Sequence, residues 1–486
     1  MKHRSIKTIL ALCLLIVLML PAQALAADPP EVSSDAVVLA DLDTGVVYYE
    51  KNGDEKAYPA STTKLMTALI VMDAVEAGDV TLDDEVTATE NMDFDLAEDG
   101  SSAGIQVGET MSLEDLLYCI LLPSANEGCN VVAEYVAGSV PAFVERMNEK
   151  AEALGCEGTH FANAHGLPDE EHYTTALDYI KIAREFSKNE KLMEIAGTAT
   201  YTVPETNMSD ERELSNSNGL INPYSSYGSD YVYEYATGLK TGFTYDAGYC
   251  LVSTASHDDI NLVCAVFGGF QGVNEDGWYV LTNFDDTINL YDWIYDNFEY
   301  KDVLTKKEVV KTIPVEIGKE ESLDLVPETS IEALIDKDVD VASLDRTIEI
   351  YDDLGSVDAP IEAGQELGEI TISDGERDYG TVKLVAKNEV KKSTLKWIWR
   401  GIRRFEARLA GKILTVLLGL LILLFIVRQI NHYRYRKKRG YRSSNSSRNG
   451  LFGRLFKRRD KYSAYSGSDQ KYRSNFTKRK NRNRHG

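Results

Sequence analysis

The stretch YPASTTKLMTALIVMDA, from Tyr58 to Ala74, contains a serine, a lysine three residues later and then an apolar run at helical spacing. Two interpretations are open. Either Ser61 is a nucleophile with Lys64 as its base, or Ser61 begins an ordinary helix whose lysine lies on the surface. The pattern Ser-x-x-Lys recurs from Ser393 and from Ser468, so it is weak evidence alone and favours the ordinary helix. The choice therefore depends on the rest of the chain.

Two further short motifs follow along the chain. Ser124-Ala125-Asn126 comes after an apolar segment that ends at Leu122 and is predicted to be helical, and Lys240-Thr241-Gly242 precedes predicted strands. Ser-x-Asn occurs twice more in the C-terminal tail, whereas Lys-Thr-Gly occurs once. Each motif is weak alone, but their order within one predicted domain is typical of class A β-lactamases and penicillin-binding proteins.

Three longer stretches make this likeness specific. They are HFANAHGLPDEEHYTTALD (160–178), GLKTGFTYDAGYCLVSTA (238–255) and APIEAGQELGEITI (359–372). All three resemble the D-alanyl-D-alanine carboxypeptidases, which are low-molecular-mass penicillin-binding proteins, and the resemblance spans 34–386. It implies an α+β fold: a serine β-lactamase/D,D-peptidase-like catalytic domain, with an antiparallel sheet and helices, followed by a small all-β domain and a C-terminal transmembrane helix.

The resemblance implies three catalytic residues. Ser61 is expected to be the nucleophile, Lys64 its base, and Ser124 a relay that passes a proton to the departing amine. Ser61 and Lys64 are three residues apart at a helix start, which puts both on one face of the helix. A lysine must be neutral to act as a base, and burial together with the nearby cation of Lys240 is expected to lower the pKa of Lys64.

Five further residues are expected to bind substrate. Asn126 would hold the substrate amide, and Lys240 and Thr241 would bind the free carboxylate, with Gly242 completing the motif. The amide of Phe243 is expected to be the second oxyanion donor, beside the amide of the nucleophile at a helix N-terminus. One departure is expected: Asn261 is assigned to a position where the family often has an arginine that helps bind the carboxylate. The Tyr/Ser-rich segment 216–235 is expected to reshape the cleft rim.

No metal or cofactor is expected, because the sequence contains no Cys-x-x-Cys pattern and no histidine cluster. Among the accessory residues, His165 and His172 are expected to shape the fold rather than to react. Five cysteines follow the N-terminal segment, and an odd number leaves at least one unpaired. Cys119 and Cys264 lie in apolar runs and are expected to be buried as small hydrophobic residues.

The two ends of the chain suggest targeting and anchoring. A basic N-terminus, an apolar run and Ala24-Leu25-Ala26 predict a signal peptide, and a 15-residue apolar run from Ile413 to Val427 predicts a membrane span. Residues 428–486 contain 20 Lys/Arg, although the chain as a whole has a net charge of −25. The basic tail is therefore expected in the cytoplasm, with the acidic body outside the cell membrane. The tail could bind anionic lipid, but no nucleic acid partner is expected.

The predicted divisions of the chain are a signal peptide, a catalytic domain, an all-β domain, an amphipathic juxtamembrane segment, a transmembrane helix and a basic disordered tail. Their bounds are 1–26, 34–298, 305–388, 389–408, 409–427 and 428–486. The predicted function is removal of the terminal D-alanine from peptidoglycan stem pentapeptides, with β-lactams as covalent inhibitors. The alternatives are a D,D-endopeptidase or β-lactamase on the same fold, or a non-catalytic penicillin-binding sensor or scaffold.

Overall fold

The computed structural model describes residues 27–97, 100–273, 279–351 and 355–440. The predicted signal peptide and most of the basic tail lie outside these residues. The chain divides into two units, the first ending at Thr394 and the second beginning at Leu395. The first unit contains both the predicted catalytic domain and the predicted all-β domain.

A five-stranded antiparallel sheet forms the centre of the catalytic domain, in the order β2-β1-β9-β8-β7. Its strands are β1 (Ala36–Asp41), β2 (Val47–Lys51), β7 (Ala236–Thr244), β8 (Gly248–His257) and β9 (Ile260–Gly269). The sheet therefore joins the two ends of the domain sequence, as the pattern of a hairpin, a helical middle and later strands predicts. Strand β7, which carries Lys-Thr-Gly, is an edge strand.

Both faces of this sheet are covered, so its central strands are buried on both sides. In β1, Val38 packs in one core with the middle helices, and Val37 packs in a second core with the last helix of the domain. All six residues of β1 are buried, which is typical of a strand covered on both faces. The two cores fix the sheet between two helical layers.

The helices of the domain follow the apolar segments of the sequence. They are α1 (Lys64–Ala77), α2 (Leu113–Leu121), α3 (Asn126–Ala137), α4 (Val140–Ala153), α5 (Ala176–Ser187), α6 (Glu190–Ala196) and α7 (Thr282–Asn297). Helix α1 is apolar on nearly all sides and buried, as expected of a central core helix, and it ends at Gly78 in the left-handed conformation. The apolar run from Val131 to Ala137 predicts a helix, and α3 begins five residues before that run.

Three short hairpins were not predicted from the sequence. They pair β3 (Glu85–Thr87) with β4 (Thr110–Ser112), β5 (Thr200–Val203) with β6 (Arg212–Ser215), and β10 (Gln271–Val273) with β11 (Tyr279–Leu281). Each strand has only three or four residues, which is too short for a periodic pattern to stand out. These hairpins form parts of the surface around the helical layer and the edge of the sheet.

The all-β domain contains a six-stranded sheet, in the order β16-β18-β19-β14-β13-β17, and a separate pair formed by β12 and β15. The strands are β12 (Phe298–Leu304), β13 (Lys311–Glu316), β14 (Ser322–Pro327), β15 (Ile331–Asp336), β16 (Asp345–Ile350), β17 (Val357–Asp358), β18 (Glu366–Ser373) and β19 (Asp378–Ala386). Alternate residues pack into a single apolar core. Four of these strands correspond to predicted ones, and β12, β14, β15 and β17 were missed.

Tyrosine side chains join the two domains of the first unit. The hydroxyl of Tyr48 donates to the carbonyl of Leu334 at 2.8 Å, and the hydroxyl of Tyr300 donates to the carboxylate of Asp41. The guanidinium of Arg377 lies 5.5 Å from the ring centroid of Tyr48. Polar bonds and a cation–π contact therefore fix the all-β domain against the hairpin end of the central sheet.

The C-terminal part contains α8 (Thr394–Ala407) and α9 (Leu409–Gly440). Helix α8 exposes two tryptophans, Trp397 and Trp399, and carries several arginines. Among the described residues, α9 is the one helix with a segment long and apolar enough to cross a membrane, Leu409–Arg436. The helix continues beyond the predicted end of the span at residue 427.

Candidate active site

Ser61 lies on a short 3-10 turn, Ala60–Thr63, that runs directly into α1. The turn is held by its own hydroxyls, because Thr62 Oγ1 donates to the Pro59 carbonyl at 2.7 Å and Thr63 Oγ1 to the Ala60 carbonyl at 2.8 Å. Ala60 has a φ of +46°, an unusual value for a residue with a Cβ. Strained backbone of this kind is often found at functional sites, and here it directly precedes the serine.

Lys64 joins three parts of the chain at one nitrogen. Its Nζ donates to Ser61 Oγ at 2.9 Å, to Asn126 Oδ1 at 2.7 Å and to the carbonyl of His165 at 2.7 Å. The lysine is fully buried in the first turn of α1. This is not a surface lysine, so the interpretation of the motif as an ordinary helix start is wrong.

The environment of Lys64 favours its neutral form. Burial lowers its pKa to about 8, while nearby Cys129 and Glu127 oppose that shift. Burial also raises the pKa of the Cys129 thiol to about 12. About a tenth of Lys64 is therefore an uncharged amine at pH 7 and about half at pH 8, with its lone pair available to a hydroxyl donor 2.9 Å away.

Ser124 and Asn126 lie at the junction between α2 and α3. Asn126 is the first residue of α3, and its side-chain oxygen accepts from Lys64. Ser124 has a φ of +70°, and its buried Oγ has no hydrogen-bond partner among the described residues. The structure therefore joins Asn126 directly to Lys64, but it shows no bond from Ser124 to either residue. A buried hydroxyl without a partner is unusual and is available to a bound molecule.

Lys240 and Thr241 form a second polar cluster, on the edge strand β7. Lys240 Nζ donates to Ser217 Oγ at 3.3 Å and to the Thr241 carbonyl at 3.2 Å. Thr241 Oγ1 and Ser217 Oγ are 2.7 Å apart. The three side chains place the Lys240 amine and two hydroxyls together beside the middle of the strand.

The two buried lysines influence each other. Burial and, as a smaller cause, the positive charge of Lys64 together lower the pKa of Lys240 to about 7. Repulsion between two ammonium groups is mutual, so a proton on one lysine opposes a proton on the other. Burial is the main cause for both lysines. The expected effect of the second cation is seen on Lys240 rather than on Lys64.

Gly242 allows β7 to approach the serine turn closely. A Cβ at this position would lie 2.9 Å from the Ser61 amide nitrogen and 3.1 Å from the Pro59 carbonyl oxygen. Such contacts are too short for a side chain, so glycine is required here. Phe243, the next residue, is 47% exposed, with its ring centroid 4.5 Å from that of Tyr249. The backbone of β7 therefore borders Ser61, while the Phe243 side chain faces outward.

Gly166 packs against the other side of the serine turn. Its φ is +91°, and a Cβ there would lie 1.8 Å from the Ala60 carbonyl oxygen. Asn163 Oδ1 accepts from the amides of His165 and Gly166 and so fixes this segment. The segment positions the His165 carbonyl on Lys64.

The histidines of this segment are neutral and structural. His172 Nδ1 accepts from the Ala162 amide at 3.0 Å, and its Nε2 lies 2.8 Å from Thr63 Oγ1. Burial is the main reason that the pKa values of His165 and His172 are lowered to about 3. These contacts agree with the expectation that both histidines shape the fold.

Comparison with known proteins identifies this arrangement. The sequence model of the family described as D-alanyl-D-alanine carboxypeptidase matches residues 23–271, half of the chain. The chain belongs to this family. The model described as penicillin-binding protein 5, C-terminal domain, matches residues 298–392. The resemblance noted from the motifs is confirmed, and so is the predicted fold class of an α+β catalytic domain followed by an all-β domain.

Individual relatives agree with the family. The D-alanyl-D-alanine carboxypeptidase DacF of Bacillus subtilis is 30% identical over 317 residues, 65% of this chain and 76% of that protein. DacA of Escherichia coli is 32% identical over 274 residues, 54% of this chain and 63% of that protein. Among solved structures, penicillin-binding protein 5 of Haemophilus influenzae has a TM-score of 0.60 at 26% identity. It covers 76% of this chain, and all of that structure is matched.

The assignment of Asn261 to a carboxylate-binding position is wrong. Asn261 pairs with Ser256 at the far end of the β8-β9 hairpin, whereas Lys240 lies level with Ala265. Four residues along a strand correspond to about 13 Å. The side chain of Asn261 donates to Asp43 at 2.9 Å and accepts from Ser256 Oγ at 2.7 Å. It therefore braces the sheet end and does not face the cluster on β7.

Two site features were missed in the sequence. Ser217 contacts both Lys240 and Thr241, but it lies in a segment of serines, asparagines and tyrosines where nothing distinguishes it. The carbonyl of His165 accepts from Lys64, and a backbone acceptor leaves no signal in the identity of its residue. The only available signal was the resemblance of 160–178 to the family.

Proposed function

We propose that this protein is a serine carboxypeptidase that removes the terminal D-alanine from peptidoglycan stem pentapeptides through a Ser61 ester. The observation that carries the proposal is the bond from the buried amine of Lys64 to Ser61 Oγ at 2.9 Å, together with the lowered pKa of that amine. Membership of the carboxypeptidase family supports the substrate class.

The first half of the reaction forms the ester. Neutral Lys64 takes the proton of Ser61 as the Oγ attacks the carbonyl carbon of the penultimate D-alanine. The amides of Ser61 and Phe243 stabilise the negative charge that develops on the carbonyl oxygen. Ser124 then relays the proton held by Lys64 to the leaving nitrogen, the peptide bond breaks, free D-alanine departs and Lys64 is neutral again. The buried and unpartnered Oγ of Ser124 supports its role as the relay.

The second half restores the enzyme. Water attacks the ester carbonyl while Lys64 accepts a proton from it, and the Ser61 oxygen leaves and is reprotonated. Asn126 holds the substrate amide beside the base, which its bond to Lys64 at 2.7 Å supports. No metal or cofactor is needed for either half, because the nucleophile, base and oxyanion donors are all protein groups.

Recognition of the free carboxylate is assigned to the cluster on β7. Lys240 supplies positive charge, and the hydroxyls of Thr241 and Ser217 supply hydrogen bonds. A bound carboxylate beside Lys240 raises the pKa of that lysine and favours its ammonium form.

β-Lactams are proposed to react at the same serine. The strained amide of the ring occupies the position of the scissile bond, and its carboxylate occupies the cluster on β7. Attack by Ser61 opens the ring and forms an ester, but the leaving nitrogen stays attached to the acyl group. The covalent complex therefore persists for as long as water is kept from the ester.

Residues 34–298 are proposed as the catalytic domain, 305–388 as the all-β domain and 389–408 as an amphipathic segment at the membrane surface. Residues 1–26 are proposed as a cleaved signal peptide. The apolar part of α9 supports a membrane anchor over 409–427. The arginines and lysines after the anchor support a cytoplasmic location for residues 428–486 by the positive-inside rule, with the catalytic domain outside the cell.

The test is release of D-alanine from diacetyl-Lys-D-Ala-D-Ala by the purified protein, with Ser61→Ala measured beside it and both labelled with fluorescent penicillin. We expect the wild type to release D-alanine and to be labelled, and the variant to do neither while keeping the wild-type melting temperature. Release by Ser61→Ala would contradict the assignment of the nucleophile. Labelling of the wild type without release would favour a crosslink endopeptidase or a penicillin-binding sensor.

A further inference from the structure

Glu127 is a buried carboxylate directly beside the proposed site. It is the second residue of α3, follows Asn126 and is 4% exposed. Its Oε1 accepts from Ser102 Oγ at 2.7 Å, from the Ala103 amide at 2.8 Å and from the Ile105 amide at 3.4 Å. The carboxylate therefore attaches a stretch of irregular chain, residues 101–105, to the start of α3.

The same stretch of chain contacts Asn126. The Asn126 amide donates to the Ser101 carbonyl at 2.9 Å. A Cβ built on Gly100 would lie 2.7 Å from Asn126 Nδ2, so the backbone at this point runs close across the Asn126 side chain. Glu127 and Asn126, neighbours in sequence, thus hold opposite ends of one short segment, and the Asn126 oxygen bonds to Lys64 at the same time.

Glu127 is one of five ionisable groups of the described residues that face Lys64, and it differs in charge from the other four. These groups are Cys129 and Glu127 on α3, His165 and His172 on the segment before α5, and Lys240 on β7. Cys129 and the two histidines are neutral at neutral pH, because burial shifts their pKa values to about 12 and about 3. Among the residues that the structure describes, Glu127 is the one carboxylate whose charge opposes the lowering of the Lys64 pKa.

We propose that Glu127 is a positioning residue of this site, whose carboxylate holds the 101–105 segment on α3 and thereby keeps the Asn126 side chain on Lys64. It has two separable effects. Its length determines the geometry around Asn126, and its charge raises the pH at which Lys64 becomes neutral, against the larger opposite effect of burial. The inference rests on the proposed function only in assigning Lys64 as the base.

Two substitutions distinguish the effect of the length of the Glu127 side chain from the effect of its charge. Glu127→Asp keeps the charge but is one methylene too short for the three bonds. The rate of penicillin acylation rises with pH along an acid limb and then reaches a plateau. For Glu127→Asp we expect the acid limb at the wild-type pH and a plateau rate about tenfold lower. Glu127→Gln keeps the length but removes the charge. We expect its plateau to stay within about threefold of wild type, with the acid limb moved to lower pH by about one unit.

Two further variants provide controls. Glu109→Gln neutralises another buried carboxylate, which bonds to Arg212 and Thr206 and is not among the charges acting on Lys64. It should lower the melting temperature without moving the acid limb. Ser102→Ala removes one donor to Glu127 at an exposed position, so it should fold normally and lower the plateau about threefold.

The proposal is overturned if Glu127→Gln leaves the acid limb of the acylation rate at the wild-type pH and if Glu127→Asp and Ser102→Ala both keep the wild-type maximal rate. An equal limb shift in Glu109→Gln would also overturn it, because the shift would then reflect general loosening of the fold. Acylation is the readout because it does not require D-alanine release. Failure of the proposed carboxypeptidase activity would appear as wild-type labelling without release, and the Glu127 comparison would still be decided.

Discussion

Lys64 and Lys240 of the catalytic domain differ from Lys383 of the all-β domain in burial and in ion pairing. In the catalytic domain Lys64 and Lys240 are 0% and 1% exposed, and neither forms a salt bridge to any carboxylate in the described ranges. In the all-β domain Lys383 has a half-exposed side chain that pairs with Glu366 at 2.7 Å, and its pKa is raised. Two lysines of the catalytic domain are thus buried in a way that favours their neutral form, whereas Lys383, like Lys150 of the catalytic domain, stays charged in a salt bridge.

This difference indicates where chemistry takes place. A buried ammonium without a carboxylate partner costs stability, and the usual response is loss of the proton. An exposed pair such as Lys383–Glu366 contributes little to stability and nothing to reactivity. The catalytic domain tolerates this loss of stability because its sheet is covered on both faces and α1 is buried along most of its length.

The largest expected effect is on the base itself. Lys64→Arg places a permanent cation beside Ser61, so no neutral amine is available to accept the proton. We expect the rate of penicillin acylation and kcat/KM for D-alanine release to fall by about 10³-fold or more. Stopped-flow acylation with fluorescent penicillin measures the first quantity, and circular dichroism checks that the variant is folded.

The matched control lies in the other domain. Lys383→Met removes an exposed paired lysine, and we expect acylation and release to stay within twofold of wild type. A large loss of activity in Lys383→Met would break the contrast between the two sets of lysines.

The second effect concerns the carboxylate. Lys240→Met removes the positive charge of the cluster on β7, and we expect kcat/KM for a peptide with a free C-terminus to fall about 10²-fold. A peptide ending in D-Ala-amide lacks the carboxylate, so wild type and variant should cleave it at similarly low rates. Equal losses on both peptides would show that Lys240 is needed for folding or for the base instead.

A smaller effect is expected at Ser217, which bonds to Lys240 and Thr241, the two residues proposed to bind the carboxylate, and has no proposed role in the chemical step. Ser217→Ala removes one hydroxyl from the cluster and should raise KM about fivefold with little change in kcat. Steady-state kinetics on the free-acid peptide make the measurement. A fall in kcat with unchanged KM would instead place Ser217 in the chemical step.

The smallest effect on activity is expected at the junction of the domains. Tyr48→Phe removes a buried donor to the Leu334 carbonyl and should cost about 1–2 kcal/mol of unfolding free energy. Chemical denaturation measures that loss. D-alanine release from a soluble peptide should be unchanged, and a parallel loss of activity would show that the all-β domain supports the site and not only the fold.

The sequence could predict the parts of this molecule that depend on short-range order. The buried helix α1 follows from its apolar run, the first hairpin from Asp43-Thr44-Gly45, and the place of Ser61 from its motif. The three motifs are recognisable because the residues of each lie within four positions of one another. Their meeting at one cleft was inferred from family resemblance and not from spacing.

The features that were missed depend on contacts between distant segments. Ser217 reaches Lys240 across 23 residues, and Glu127 reaches Ser102 across 25. Asn261 was misplaced because its level on the sheet depends on the strand register, which a short apolar run does not reveal.

The most direct test of the central claim, that a buried neutral Lys64 is the base for Ser61, is the rate of penicillin acylation measured from pH 6 to pH 10. Because the pKa of Lys64 is lowered to about 8 and its neutral form accepts the proton, the rate should rise with pH and level off above that value. A rate that does not change between pH 6 and pH 10, or one that rises only near the ordinary pKa of lysine, would contradict the account.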